Sequence, residues 1–142
     1  MPETRAERLA ALRVTLEQRP EVLEAYVFGS FARQEEQPHS DVDVAVYLVS
    51  LPAEGLGADA QIAADLMRAL GSDRVDVVVL NTAPPLLYHR VLRDGIRLFA
   101  RDLAATSVRE GRALSRYCDY VPQLAKIRAA RAARSARGEF GR

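Results

Sequence analysis

Apolar and polar positions along this chain repeat with two different periods. Leu9, Leu12 and Leu16 fall among charged residues at helical spacing, and Pro20 ends that segment. Val22 to Phe28 is rich in residues that suit a pleated surface and reads as a strand. Gly29-Ser30 interrupts it, and Phe31 to Glu35 is expected to open a short helix with Ser30 as its N-cap. Gln34 to Ser40 is polar, contains Pro38, and reads as a loop. Val42 to Val49 is the clearest strand, and Ser50 to Gly57, with Pro52 and Gly55, is a second loop. Ile62, Leu66 and Leu70 recur every fourth residue, which predicts a helix over Ala58 to Leu70 that stops at Gly71. Val75 to Leu80 is a third strand, Pro84-Pro85 starts a helix through Arg93, and Ile96 to Ala100 is a fourth strand. Two helices are expected after that, Ala104 to Tyr117 and Gln123 to Arg137. The alternation of helices and strands predicts an α/β (α+β) fold on one mixed sheet.

Length and composition narrow the class. A chain of 142 residues is the size of one domain and can bury a core without disulfides or metals. Hydrophobic residues make up 49% and charged residues 27%, which argues against disorder. No run approaches the roughly 20 apolar residues that span a bilayer. Met1 to Arg19 alternates charge with Leu and Ala, so no signal peptide is expected. Cys118 is the single cysteine, which excludes an intramolecular disulfide and a cysteine zinc cluster. A cytoplasmic protein is expected.

The net charge of +1 hides an asymmetry. Residues 1–100 carry ten Arg and fifteen Asp/Glu, whereas residues 101–142 carry ten Lys/Arg and four Asp/Glu. Such a shift marks either a basic arm for an acidic partner or nucleic acid, or a solvated basic helix or tail; a domain over 1–100 with a basic, helical C-terminal extension over 101–142 is expected.

The candidate chemistry lies in the first part. Asp41 and Asp43 flank Val42 on a strand of period two, so they share one face while Val42, Val44 and Val46 take the other. Two carboxylates about 6–7 Å apart repel each other and call for a cation between them. Oxygen donors alone favour a hard ion such as magnesium, which combines one or two carboxylates with substrate phosphates. A bare pair of this kind is most often just two solvated aspartates at a strand start. Asp76, alone among the valines of Val75 to Leu80, changes that reading, because a neighbouring strand would bring it in as a third carboxylate. Such a group can complete a metal site or take a proton from an attacking hydroxyl. Gly29-Ser30, between a strand and a helix, has the geometry in which backbone N–H groups hold phosphate.

Gly29-Ser30-Phe31-Ala32-Arg33, then ten residues from Ser30 to Asp41-Val42-Asp43, resembles the signature of minimal nucleotidyltransferases of the DNA polymerase β superfamily. The spacing is similar to that of the MntA-type antitoxins of HEPN/MNT toxin–antitoxin pairs. The resemblance implies a nucleotidyltransferase fold. It implies that Gly29, Ser30 and Arg33 bind the nucleotide, with Ser30 part of the catalytic set. Asp41 and Asp43 would bind Mg2+, and Asp76 would act as metal ligand or general base. Gln34 stands where many relatives place a glycine. The implied activity is magnesium-dependent transfer of AMP from ATP to a tyrosine of a HEPN-family (HepT-type) ribonuclease toxin, within a hetero-oligomer, which silences the toxin. No nucleic acid or membrane partner is expected.

Two other functions compete. One is nucleotidyl transfer to a small molecule such as an aminoglycoside, for which 42 residues after Ala100 are few. The other is neutralisation of a toxin by binding alone, which would not need the acidic cluster. Arg33 with His39 matches the spacing of a HEPN nuclease motif, but falls in the nucleotidyltransferase loop and reads as coincidence. His89 and the group Tyr117, Cys118 and Tyr120 read as packing residues. Leu114, Tyr117, Tyr120, Val121 and Leu124 are expected to grip a partner, with arginines at the rim.

Overall fold

A computed structural model of the chain describes residues 2–34, 41–51 and 57–138. The loop readings over 35–40, with Pro38, His39 and Ser40, and over 52–56, with Pro52 and Gly55, lie outside the described residues. Helix α1 spans Arg5–Glu17 and is capped by Thr4, whose side chain accepts from the Glu7 N–H at 3.1 Å. Strand β1 is Val22–Phe28, and the four-residue helix α2 is Gly29–Ala32. Strand β2 (Val42–Leu48), helix α3 (Ala58–Leu70) and strand β3 (Val75–Val79) follow. A 3-10 turn over Leu80–Thr82 leads into helix α4 (Pro85–Asp94), strand β4 (Ile96–Ala100) and helix α5 (Leu103–Ala136).

The strands form one sheet in the order β3-β2-β1-β4. β1 runs antiparallel to β2 and to β4, while β2 and β3 are parallel. The mixed sheet therefore agrees with the alternation in the sequence. The period of two sends each strand's side chains into two cores. Leu12, Leu16, Val27, Val42, Val44, Val46, Ile62 and Leu66 fill one, under α1 and α3. Tyr26, Phe28, Ala45, Leu80, Tyr88, Val91 and Ala113 fill the other, under α4 and α5.

Two elements differ from the sequence reading. The short helix begins at Gly29, not Phe31, and Ser30 is not its N-cap; Phe28 occupies that position and no side chain caps the helix. The reason is Gly29, whose φ of 73° turns the chain one residue earlier than a serine cap would. The two C-terminal helices are one helix of 34 residues with Pro122 inside it. Proline removes one N–H and crowds the carbonyl four residues back, at Cys118. The flanking sequence is rich in helix-forming Ala and Arg, and the helix runs through.

The N-terminal half of α5 is fastened to the sheet. Glu24 of β1 is fully buried, and its carboxylate accepts from Thr106 Oγ1 at 3.0 Å, Arg109 Nε at 2.8 Å and Arg109 Nη2 at 2.6 Å. Tyr26 donates its hydroxyl to Glu110 at 2.6 Å, and Arg97 of β4 closes on the same carboxylate at 3.0 Å.

Candidate active site

Sheet register decides where the acidic residues meet. Phe28, at the end of β1, pairs with Asp43 on β2, and Asp43 pairs in turn with Asp76 on β3. Gly29 follows Phe28 directly, so the turn and two carboxylates stand in a row across three strands. Asp41 precedes β2 at the same end of the sheet. It is exposed, as is Asp76, whereas Asp43 is half-buried. The structure thus brings Gly29, Asp41, Asp43 and Asp76 together, as the spacing suggested, with Ser30 in the first turn of α2.

At this range the carboxylates perturb one another. Burial pushes the Asp43 carboxyl above its ordinary value, the charges of Asp76 and Asp41 push it further, and the Arg33 guanidinium opposes them. Asp76 is raised as well, by desolvation and then by the charge of Asp41, to which it is hydrogen-bonded. Gly29 has no room for a side chain: a Cβ there would collide with Asp43 Oδ2. The Asp43 carboxylate is therefore held directly against the turn at Gly29.

These residues fit a magnesium ion. Their donors are all carboxylate oxygens, and their mutual repulsion is what a divalent cation relieves. Among the described residues no group of three acidic, His or Cys side chains has converged into a metal-binding cage. Magnesium commonly takes one or two carboxylates and completes its shell with phosphates and water, so a preformed cage is not required.

Two residues that the sequence reading missed hold the turn from outside. Arg5 of α1 donates from Nη2 to the carbonyls of Phe31 and Ala32, at 3.2 and 3.1 Å, and its guanidinium lies 5.4 Å from the centre of the Phe31 ring. It joins the Gln34 N–H, at 3.3 Å, on the Phe31 carbonyl and gives the Ala32 carbonyl a donor. Asp94, at the end of α4, stands 3.9 Å from Arg33 and is paired more closely with Arg93 at 2.9 Å. Neither carries a local signal, since each acts on an element distant in sequence. His89 packs as expected, stacked on Tyr117 with ring centres 3.6 Å apart.

Residues 11–104 match the family described as polymerase beta, nucleotidyltransferase. The chain belongs to that nucleotidyltransferase family. The match takes in all four strands and every acidic residue of the site. Among solved structures, this nucleotidyltransferase superposes on a chain of a toxin–antitoxin complex with AMP-PNP at a TM-score of 0.73. The two share 25% identity over 86% of this chain and 97% of that chain. A chain from the tri-AMPylated Shewanella oneidensis HEPN toxin in complex with MNT antitoxin gives 0.70 at 23% identity, over 89% and 98% of the two chains. A chain of the MntA–HepT toxin–antitoxin gives 0.67 at 24%, over 87% and 96%. No curated protein matches the sequence. Among the described residues no helix is long and apolar enough to cross a membrane.

Proposed function

We propose that this nucleotidyltransferase is an antitoxin that transfers AMP from ATP to a tyrosine of a HEPN-family toxin, with magnesium, inside a complex of the two proteins. The observation that carries the reading is the row Gly29, Asp43, Asp76, in a chain that superposes on a chain of a toxin–antitoxin complex with an ATP analogue. The catalytic elements fall within residues 1–100, with 101–142 as the basic extension. The cytoplasm, which supplies ATP and magnesium, is the proposed location.

Each residue has a role in that reaction. Gly29 and Ser30 receive the triphosphate, with the Ser30 hydroxyl on a phosphate oxygen. Arg33, beside Asp43, adds positive charge for the phosphates. Asp41 and Asp43 hold magnesium, which when bound neutralises the phosphates and fixes their orientation. Asp76 either joins that ligand set or takes the proton of the tyrosine hydroxyl. The tyrosine oxygen forms its bond to the α-phosphorus as the bond to the bridging oxygen breaks, and pyrophosphate leaves.

The test is the intact mass of the cognate HEPN protein after incubation with this chain, ATP and magnesium. A gain of one or more AMP groups, lost with Asp41→Asn/Asp43→Asn, is expected. An unmodified HEPN protein would overturn the reading.

A further inference from the structure

On the sheet face that carries the acidic residues, but further along it, lies a second feature. Tyr47 is four residues along β2 from Asp43 and points to the same side, about 13 Å away by strand rise. Above it α5 and α4 border an open groove of about 790 Å³, lined by Tyr47, Tyr88, Arg109, Arg112, Ser115 and Arg116.

The groove is positively charged. Arg109 is neutralised by the buried Glu24, which fixes the helix on the sheet. Arg112 and Arg116 are exposed and meet no carboxylate among the described residues. The floor holds an unsatisfied polar group. Tyr88 is 1% exposed, and its hydroxyl has no hydrogen-bond partner among the described residues. A buried hydroxyl left unpaired costs free energy that an incoming acceptor recovers. Arg116 lies over the Tyr88 ring, 6.0 Å from its centre, and as an exposed side chain it can swing aside.

The shape of the groove selects the ligand class. Tyr88 is buried and Arg109 covers a face of Tyr47, so the groove offers a nucleotide base little ring surface to stack on. Arg112 and Arg116 are four residues apart, about 6 Å along the helix axis. Alternate residues of an extended chain are about 6.6 Å apart. Two carboxylates in the pattern acidic, any, acidic therefore meet the two guanidinium groups in step, each in a geometry suited to bidentate pairing.

We propose that this groove binds an extended acidic segment of the protein that receives the AMP, a hold on the acceptor separate from the transfer centre. The proposal rests on the toxin reading only for the identity of that protein. Grip at a distance of this order lets the acceptor stay attached while its tyrosine enters and leaves the site.

Binding is measured by fluorescence anisotropy, with the full chain and a short labelled peptide alternating Glu with Ala. Saturable binding that weakens with added salt is expected, roughly tenfold weaker for Arg112→Gln/Arg116→Gln. Tyr88→Phe, which keeps the ring, weakens it roughly fivefold. Equal binding by the double variant, or by a peptide alternating Gln with Ala, overturns the groove. In the transfer assay the double variant raises KM for the HEPN protein and leaves kcat and KM for ATP unchanged; an unchanged KM for that protein overturns the link to the acceptor. A wild-type chain that binds the peptide but modifies no HEPN protein overturns the toxin reading, and with it the assignment of the segment to the toxin, while the groove stands.

Discussion

Gly29 and Asp43 share a space that holds only one side chain. The carboxylate of Asp43 lies where a Cβ on Gly29 would be, and the φ of 73° at Gly29 is one that other residues rarely adopt. Gly29→Ala is expected to lose transfer and to cost about 1–2 kcal/mol from backbone strain alone, with displacement of Asp43 in addition. Thermal unfolding and the initial rate of AMP transfer measure the two effects. A variant with wild-type rate would show that Asp43 need not touch the turn.

Removing a repelling charge has the opposite effect on stability. Asp43 is held above its ordinary pKa by burial and by Asp76 and Asp41, so its ionised form opposes folding when no cation is present. Asp43→Asn is expected to raise Tm in EDTA at neutral pH while abolishing transfer. Magnesium with ATP should raise Tm of the wild type and leave that of the variant unmoved. Equal Tm values in EDTA would argue against carboxylate repulsion.

The turn at Gly29 depends on α1. Arg5→Ala removes both hydrogen bonds to the α2 carbonyls; Phe31 keeps the Gln34 N–H at 3.3 Å, while the Ala32 carbonyl loses its Arg5 donor. A loss of about 1–3 kcal/mol in stability is expected, with KM for ATP raised. Arg5→Lys, which reaches but cannot fork, should recover part of the stability. ATP affinity by calorimetry separates this role from a general effect on folding.

Gln34 stands at φ 60°, just past α2, and is the one non-glycine at positive φ among the described residues. That is the conformation of a glycine helix stop. Gln34→Gly is expected to stabilise the protein by roughly 1 kcal/mol and to leave the rate of transfer intact. A chemical denaturation curve decides it, and a destabilised variant would mean that the glutamine side chain contributes more than its backbone costs.

Arg109 is the counter-charge of a carboxylate with no access to water. Arg109→Met leaves Glu24 buried and unpaired, with an expected loss of roughly 3 kcal/mol. Glu24→Gln added to it should restore part of the loss, which a double-mutant cycle in urea measures. The same contact predicts that a chain ending at Ala100 unfolds, since Tyr26, Tyr88 and Glu24 lose their cover.

Local punctuation made much of this fold readable. Val22–Phe28, Ala58–Leu70 and Ile96–Ala100 match their predicted spans residue for residue. Each is bounded by residues that stop one structure or start another, such as Pro20, Gly29, Gly71 and Gly95. The acidic site was readable because three elements on adjacent strands carried regular spacing, and the parallel register of β2 with β3 supplied the contact. What escaped was long-range. Nothing near Glu24 indicates that its partner is Arg109, and nothing near Phe31 points to Arg5. The serine cap was misjudged because a glycine at positive φ can begin a helix one residue earlier. The two helices expected over Ala104–Tyr117 and Gln123–Arg137 are one, because the helix formers on either side carry it through Pro122.

Helix α5 is about 51 Å long by its 34 residues, while a compact chain of this length has a radius of gyration of only about 14–15 Å. From Val121 to Gly138 every residue is exposed except Leu124, which is half-buried. The molecule therefore tumbles as a rod fixed to a sphere. It should leave a sizing column earlier than its 15.7 kDa warrants, and its X-ray scattering profile should carry a long-distance tail contributed by a single helix.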